Sequence, residues 1–241
     1  QDVFRAQTEI SRVLARLATL EQRKESLRAD TNRLLNRSLL APLGAPPEIA
    51  VTPLRLGLSE LTTELERSSP SLLARKKEVE RGNEAVALAN REYFPDFEIS
   101  GLGFHNETMN KEGYQFMLGI KVPLYYVTKQ REGVHGALAS RESAGQEFHA
   151  MKQDLLFRLQ DNVVQAQRAE QLVTILKDAI IPQATLTLES AQAGYAVGAV
   201  DFLTLLNSLL TLQENELELH GEMVEHEKAM ARLEEILGST P

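Results

Sequence analysis

The feature that most constrains this chain is a long stretch without helix-breaking residues. After Tyr126 no proline occurs until Pro182, and no glycine occurs between Gly145 and Gly194. Because proline and glycine are the residues least compatible with a helix interior, the stretch predicts one helix over residues 128–193, in which Pro182 either introduces a kink or lies on an exposed turn. At 1.5 Å per residue it extends for about 100 Å. Its apolar residues recur at spacings of four and three, as in a coiled-coil seam: Leu155, Leu159, Val163, Ala166, Ala169, Val173, Leu176 and Ile180.

Proline placement also divides the rest of the chain. Residues 1–40 contain no proline and predict one helix, whereas residues 41–53 hold four prolines and predict a linker. A short helix is expected at about residues 58–66. Ser69 and Pro70 have the sequence of an N-cap and a first-turn proline, which predicts a helix over 69–93. The last helix, 201–237, ends at Gly238, a typical C-terminal glycine. The apolar positions of the first helix are Val3, Ile10, Val13, Leu14, Leu17, Leu20, Leu27, Leu34 and Leu35.

The segment 94–126 differs from the rest of the chain in composition. Eight of the 13 aromatic residues lie between Tyr93 and Tyr126, which favours strands there. The second half alternates, with Tyr114, Phe116, Leu118, Ile120 and Val122 on one face. The first half is less regular, with Phe97 and Ile99 on one face and Phe104 on the other. Pro95 and Pro123 bracket the pair, and a polar loop is expected over 105–113. The pattern predicts one β-hairpin.

Neither the long helix nor the hairpin is stable alone. Three shorter helices cannot bury a seam about 100 Å long in a compact domain. A two-stranded hairpin leaves two open edges and is marginal even in water. In lipid, open edges are not tolerated, so a hairpin there must join others in a closed barrel. Both arguments indicate several copies side by side.

An internal repeat links the first and last helices. A shift of 202 residues aligns them over 33 positions without a gap, so that Val3 meets Leu205 and Leu17 meets Leu219. A unit of about 200 residues therefore recurs, and we expect a parent protein about twice as long as this chain. The two helices differ in charge: residues 1–37 hold eight basic and five acidic groups, and residues 205–237 hold two and eight. This difference is either drift on solvated surfaces or a complementarity between neighbouring helices in an assembly.

Composition and motifs argue against a catalytic, metal-binding or nucleic-acid-binding role. The net charge of −8 disfavours a nucleic-acid surface, and the absence of Cys excludes disulfides and thiolate metal sites. The five histidines form no helical metal-binding pair, and no Walker or G-x-S-x-G sequence occurs. His105 and Met109 share the predicted loop and could touch a soft metal, but an ordinary exposed loop is the favoured interpretation. The glutamates of the last helix are spread as on a solvated face. We expect no enzyme, no cofactor and no metal site.

Several runs of residues together resemble one family. They are Ser69–Leu72, Tyr93–Phe97, Leu118–Leu124, Gly194–Gly198 followed by Asp201–Leu206, and Ala229–Gly238. In order and spacing, the chain is similar to the TolC-like outer-membrane efflux proteins, the exit ducts of Gram-negative tripartite pumps. Residues 1–40 resemble the matching helix of a first repeat, so the resemblance implies a fragment that lacks most of that repeat.

The resemblance implies a mainly α fold of long antiparallel coiled-coil helices with one β-hairpin, assembled as a trimer with an α-barrel and a 12-stranded β-barrel. Residues 1–40 are then the lower helix that ends the first repeat, and 41–68 a linker with a short helix. Residues 69–238 form the second repeat. Its parts are an upper helix 69–93, a hairpin 94–126, a long helix 128–193, a periplasmic tip 194–200 and a lower helix 201–237.

The resemblance also implies a role and partners. The chain is expected to be a passive channel subunit in the outer membrane and periplasm of a Gram-negative bacterium. It would form a homotrimer, contact outer-membrane lipid, bind a periplasmic adaptor (membrane fusion) protein and serve an inner-membrane pump indirectly. The implied adaptor-binding tip residues are Gly194, Tyr195, Val197, Gly198, Ala199 and Asp201. The implied membrane hairpin residues are Phe97, Ile99, Phe104, Tyr114, Phe116, Leu118, Ile120 and Val122.

A second interpretation stays open on the sequence. A soluble coiled-coil scaffold, with the hairpin as a small cap or docking ribbon, has the same hydrophobic pattern. Partitioning of the full-length protein into membranes separates the two.

Overall fold

The computed structural model describes residues 2–54, 57–106 and 111–238. The helices and strands are α1 Asp2–Leu34, α2 Leu58–Ser68, α3 Pro70–Arg91, β1 Asp96–Asn106, β2 Lys111–Lys121, α4 Arg131–Ile175, α5 Ile181–Ala196 and α6 Phe202–Leu237. Short π-helical segments, Tyr126–Gln130 and Leu176–Ile180, flank α4. The predicted mainly α fold with one β-hairpin is confirmed. None of the helices in the described ranges is both long and apolar enough to span a membrane.

The chain divides into two compact units, and the seam predicted for the long helix is largely buried in them. The first unit consists of Gln1–Pro53 and Gln165–Lys228, the second of Leu54–Val164 and Ala229–Pro241. In the first unit the core includes Ala166, Ala169, Leu176, Leu188 and Ala191. In the second it includes Leu61, Leu65, Leu72, Leu155, Leu159, Val163, Ala229, Met230, Leu233, Ile236 and Leu237. Of the predicted seam residues, Val173 is half-buried and Ile180 is exposed.

The first helix is shorter than predicted. It ends at Leu34 rather than at residue 40, and Asn36 adopts a left-handed backbone with φ of 53°. Asn32 is fully buried, and its side-chain Nδ2 donates to the carbonyl oxygens of Leu39 (3.2 Å) and Ala41 (2.9 Å). These two bonds hold the following loop against the helix end, so the chain leaves the helix although no proline or glycine forces it to.

The helices α1 and α6, which differ in charge, lie side by side within the first unit. Arg5, Arg12 and Arg16 of α1 and Glu214 of α6 line one open groove of about 650 Å³. The two helices of opposite net charge are thus neighbours within a single chain. All nine apolar positions predicted for the first helix are nevertheless exposed, so neither α6 nor the linker buries them.

The long helix is continuous through Pro182, but it widens in the turn just before this residue. The peptide N–H of Ile181 bonds to the carbonyl oxygen of Leu176, five residues earlier, which widens the helix over Leu176–Ile180. Pro182 follows in the first turn of α5. Because proline has no N–H and its ring needs room beside the preceding turn, the wide segment accommodates it within the helix. The helix then continues to Ala196, three residues beyond the predicted end.

The end of α6 packs against the joint between α2 and α3. The Ser68 hydroxyl lies 2.8 Å from the carbonyl oxygen of Leu237, and Gly238 adopts a φ of 72° as predicted for a C-terminal glycine. A Cβ at Gly238 would lie 2.8 Å from Cδ of Pro70. Ser69 occupies the predicted N-cap position, but its side chain makes no capping bond, and its Oγ is buried without a partner among the described residues.

Candidate functional site

The hairpin has longer strands and a shorter connection than predicted. The antiparallel pairing runs from Asp96 opposite Lys121 to Asn106 opposite Lys111, so each strand has 11 residues. The loop predicted over 105–113 is therefore too long, because residues at both of its ends pair as strand. Met109 lies outside the described residues, as does the side chain of His105, so the possible soft-metal contact between them is not described.

One face of the hairpin is apolar and exposed. The directly opposed pairs on it are Phe97 with Ile120, Ile99 with Leu118, Gly101 with Phe116 and Gly103 with Tyr114, and the next pair, His105 with Glu112 near the connection, consists of polar residue types. Phe116 is 83% and Leu118 82% exposed, which is unusual for large apolar side chains that form a contiguous patch. The two glycines leave room for the opposing rings, since a Cβ at Gly101 would lie 3.4 Å from the ring of Phe116. The structure thus brings six of the eight predicted hairpin residues onto one surface.

Two predicted hairpin residues do not belong to that surface. Phe104 pairs with Gly113 and so lies at a position of the opposite face, as its place in the sequence indicated, and its side chain is outside the described part of the structure. Val122 was predicted within the second strand, but β2 ends at Lys121, and Val122 follows as an exposed residue before Pro123. The last pair of the ladder is Asp96 with Lys121.

The other face of the hairpin carries most of its polar groups. Its described side chains are Asp96, Glu98, Ser100 and Leu102 on β1 and Gln115, Met117 and Lys121 on β2. Asp96 lies opposite Lys121, and Glu98 lies opposite Gly119. The hairpin is therefore a ribbon with one apolar face and one mixed polar face, which is the pattern of a strand pair between lipid and water.

The turn between α5 and α6 begins later than predicted. Gly194 and Tyr195 belong to α5, and the chain turns over residues 197–201. Gly198 has a φ of 73°, its N–H bonds to the carbonyl of Tyr195 at 3.0 Å, and the N–H of Ala199 bonds to the carbonyl of Gly194 at 2.8 Å. These two bonds around a left-handed glycine form a Schellman motif, so the predicted tip is a helix C-cap followed by a short turn.

Asp201 begins the next helix. Its Oδ1 accepts a hydrogen bond from the backbone N–H of Thr204 at 2.9 Å, as an N-cap residue does. Hydrogen bonds from the side chain and the backbone of Thr204 lower the pKa of Asp201, and the nearby charge of Arg5 adds a smaller effect in the same direction. The carboxylate therefore stays ionised and fixes where α6 starts.

An aromatic pair joins the two helix ends that flank the turn. The rings of Tyr195 and Phe202 meet edge to face, with centroids 6.2 Å apart and planes at 62°. Phe202 was not among the predicted tip residues. The sequence signal that could have identified Phe202 was its position seven residues after Tyr195, on the other side of the turn. The structure brings all six predicted tip residues together around Val197–Asp201, and it adds Phe202 and Val200.

The described residues include no group of three or more histidine, cysteine or acidic side chains arranged to hold a metal. His226 is fully buried, with its Nδ1 3.0 Å from Oε1 of Glu227. The same carboxylate oxygen accepts the N–H of Thr52 at 3.1 Å, so this pair ties the linker to α6.

Comparison with known proteins decides the family. The model of the family described as outer membrane efflux protein matches residues 61–239, about three quarters of the chain. This chain belongs to the outer membrane efflux protein family. The resemblance inferred from the sequence is thereby confirmed, and because members are efflux channels, so is the expectation that the chain is not an enzyme.

Individual relatives are distant and longer. The chain is 24% identical over 180 residues to the cobalt-zinc-cadmium resistance protein CzcC of Cupriavidus metallidurans, which covers 74% of this chain and 42% of that protein. The outer-membrane channel OprN has 18% identity and a TM-score of 0.81, covering 99% of this chain and 55% of that one. The outer membrane protein VceC of Vibrio cholerae has 17% identity and a TM-score of 0.79, covering 99% and 58%. These structures show a shared fold, and the chain spans about half the length of the relatives it matches.

Proposed function

We propose that this chain is a subunit of a passive export duct, which carries solutes through the periplasm and the outer membrane for a tripartite efflux or secretion system. Membership of the efflux channel family supports the channel role. The observation that carries the proposal is the two-faced hairpin. Its strands of 11 residues have the length of a tilted strand that crosses a bilayer, about 9–11 residues.

The apolar face of the hairpin is suited to lipid. Six large apolar or aromatic side chains lie on it, and the exposed fraction of each exceeds 60%: Phe97, Ile99, Tyr114, Phe116, Leu118 and Ile120. In water this patch costs free energy, since each apolar Å² left exposed forgoes about 25 cal/mol. In lipid it is favourable, but two open strand edges are not, so the hairpin must pair with others until the sheet closes.

Self-association supplies those further strands. We propose a homotrimer, in which copies side by side close the sheet and surround a helical tunnel. The exposed apolar positions along α1, among them Ile10 (60% exposed) and Leu17 (49% exposed), support the need for further helices beside it. Packing against neighbours would bury both the helix seam and the strand edges.

The turn between α5 and α6 is proposed to bind the periplasmic adaptor, which couples the duct indirectly to an inner-membrane pump. Gly194, Tyr195, Val197, Gly198, Ala199 and Asp201 are the proposed contact residues. Val197 is 79% exposed at the start of the turn and is followed by Gly198 and Ala199, which have no large side chain. The Schellman motif and the Asp201 cap hold this loop in one conformation, which lowers the entropic cost of binding a partner.

Fractionation of the full-length protein tests the proposal. Expressed in a Gram-negative host, it is expected in the outer-membrane fraction as a trimer that resists dissociation in detergent until heated. Purified protein is expected to form water-filled channels in planar bilayers. A detergent-independent soluble rod without channel activity would instead support the coiled-coil scaffold.

A further inference from the structure

A cavity of about 460 Å³ lies where the hairpin meets α3 and α4, and all the residues that line it belong to the second unit. Small-molecule sites have similar volumes, about 300–1,000 Å³. Four of the residues that line this base cavity are charged: Glu92, Asp96, Lys121 and Lys129. Within the described part of the chain, none of these four side chains forms an ion pair or a hydrogen bond. The cavity thus offers two carboxylates and two ammonium groups to a ligand.

Gln130 supplies an independent observation at the same place. It lines the base cavity and is only 8% exposed, and its side-chain Oε1 is buried without a hydrogen-bond partner among the described residues. A buried acceptor without a partner is costly, and nearly all buried polar groups of folded proteins are hydrogen-bonded. A ligand that carries N–H groups would satisfy this oxygen.

The two signs of charge come from different arms of the hairpin. Glu92 and Asp96 lie where the chain enters β1, whereas Lys121 and Lys129 lie where it leaves β2. Glu92 is also the C-cap of α3, and Lys129 belongs to the helical segment that leads directly into α4. Because a helix C-terminus favours a cation and a helix N-terminus favours an anion, the helix ends reinforce the same separation. The cavity therefore has a negative side and a positive side.

We propose that the base cavity binds a zwitterionic phosphate ester that carries a primary ammonium group, as phosphoethanolamine does. The ammonium group lies beside Glu92 and Asp96 and donates a hydrogen bond to Oε1 of Gln130, and the phosphate lies between Lys121 and Lys129.

The alternatives fit the cavity less well. A purely anionic ligand meets two carboxylates, a purely cationic one meets two lysines, and a quaternary ammonium has no N–H for Gln130. A planar carboxylate is typically held by the fork of an arginine, and the described residues that line the cavity include lysines but no arginine. Phe94, which is 70% exposed, also lines the cavity, and aromatic faces attract ammonium groups. The site does not depend on the proposed duct, since one copy of the chain supplies all of it.

The experiment measures binding to the full-length protein in detergent micelles. Phosphoethanolamine is offered as the soluble ester, followed by isothermal titration calorimetry, and as the headgroup of phosphatidylethanolamine, followed by native mass spectrometry. The matched probes are phosphocholine and phosphatidylcholine, whose quaternary ammonium has no N–H. We expect the phosphoethanolamine group to bind at least about threefold more tightly than its choline counterpart, because hydrogen bonds to a charged group discriminate strongly. A preference in the lipid form alone identifies a lipid headgroup as the ligand, and a preference in the soluble form identifies a free ester.

Three variants assign the preference to the cavity. Gln130→Leu should remove the preference for phosphoethanolamine and leave choline binding within about twofold of wild type. Lys129→Gln should weaken both probes by about two- to fivefold, as expected for an exposed charge. Lys177→Gln is the matched control, because this lysine is exposed in the first unit and lies outside the cavity, and it should change neither.

The outcomes separate this inference from the proposed function. Equal binding of the two headgroups by the wild type in both forms overturns the site, as does a preference that persists in Gln130→Leu. If Gln130→Leu does not fold, Lys129→Gln and Lys177→Gln still decide, since equal effects of these two would place binding elsewhere. Channels without the preference overturn the site and leave the duct intact, and a protein that has the preference but forms no channels contradicts only the duct.

Discussion

Gly194 packs against Val200 across the turn between α5 and α6, and a Cβ at position 194 would lie only 2.9 Å from Cγ2 of Val200. Gly194 is helical and needs no unusual backbone angle, so this contact explains its lack of a side chain. Gly198 has the complementary role, because it supplies the left-handed backbone and has no atom close to its missing Cβ. Gly194 is thus needed for close packing, and Gly198 is needed for its left-handed backbone conformation.

Replacing Gly194 by alanine is expected to destabilise the turn by about 1–3 kcal/mol, because the new methyl group overlaps the Val200 side chain. The measurement is the free energy of local opening from amide hydrogen exchange in residues 190–205. In a Val200→Ala background the same change should stabilise the turn, since alanine is favoured over glycine in a helix by about 1 kcal/mol. Increased protection of Gly194→Ala in the presence of Val200 would contradict the packing explanation.

The two glycines with positive φ are expected to respond differently to asparagine. Asparagine tolerates the left-handed region, so Gly198→Asn should cost less than about 1 kcal/mol, as nothing lies within 4 Å of its Cβ. Gly238→Asn should cost about 1–3 kcal/mol, because its Cβ would meet the ring of Pro70. Thermal unfolding of the two variants of the full-length protein makes the comparison. Equal losses at both positions would show that the contact with Pro70 is unimportant.

The turn should lose stability in acid through Asp201. The pKa of this group is lowered in the folded chain by the hydrogen bonds from Thr204. Its contribution is therefore fully present above the ordinary aspartate pKa and is lost as the pH falls through the lower, folded value. Asp201→Asn keeps a capping side chain and should remove this component of the pH dependence, whereas Asp201→Ala should weaken the cap at every pH. Hydrogen exchange at Thr204 as a function of pH checks this, and an unchanged acid response in Asp201→Asn would count against it.

A charge on the apolar face of the hairpin should prevent assembly, and the same charge on the polar face should not. Leu118→Arg places a guanidinium against lipid, which costs about 2–4 kcal/mol near the bilayer midplane. Gln115→Arg, on the other face of the same strand, is the matched control. The readout is the amount of heat-resistant oligomer in the outer-membrane fraction. Equal yields of the two variants would be inconsistent with a lipid-facing surface made of Leu118 and its neighbours.

The elements of the fold could be predicted because their signals are local. The alternation from Tyr114 to Ile120 fixes which residues share a face, and the observed register keeps them on one surface. The prolines and glycines locate the linker, the start of α3 at Pro70 and the end of α6 before Gly238. These signals act over a few residues and need no knowledge of what packs nearby.

The sequence predictions were wrong about helix ends and capping. These features depend on contacts between residues that are distant in sequence or on a variant of helical geometry. Helix α1 ends early because Asn32 bonds to Leu39 and Ala41, which no composition signal reveals. The tip begins after Gly194 because this glycine serves a contact with Val200 and not a turn. The wide helical segment before the exposed Pro182 has no signal in the local sequence, and the Ser69 hydroxyl is buried without the capping bond that was expected of it.

The central claim is that the two faces of the hairpin separate lipid from water, and cysteine accessibility tests it most directly. The chain has no cysteine, so single substitutions at Ile99, Leu118 and Ile120 can be compared with Ser100, Gln115 and Met117. The readout is labelling of the full-length protein, free of other cysteines, in intact membranes by a charged, water-soluble maleimide. We predict an alternating pattern, in which the second set is labelled and the first set reacts only after detergent denaturation. Labelling of both sets alike in intact membranes would contradict the account.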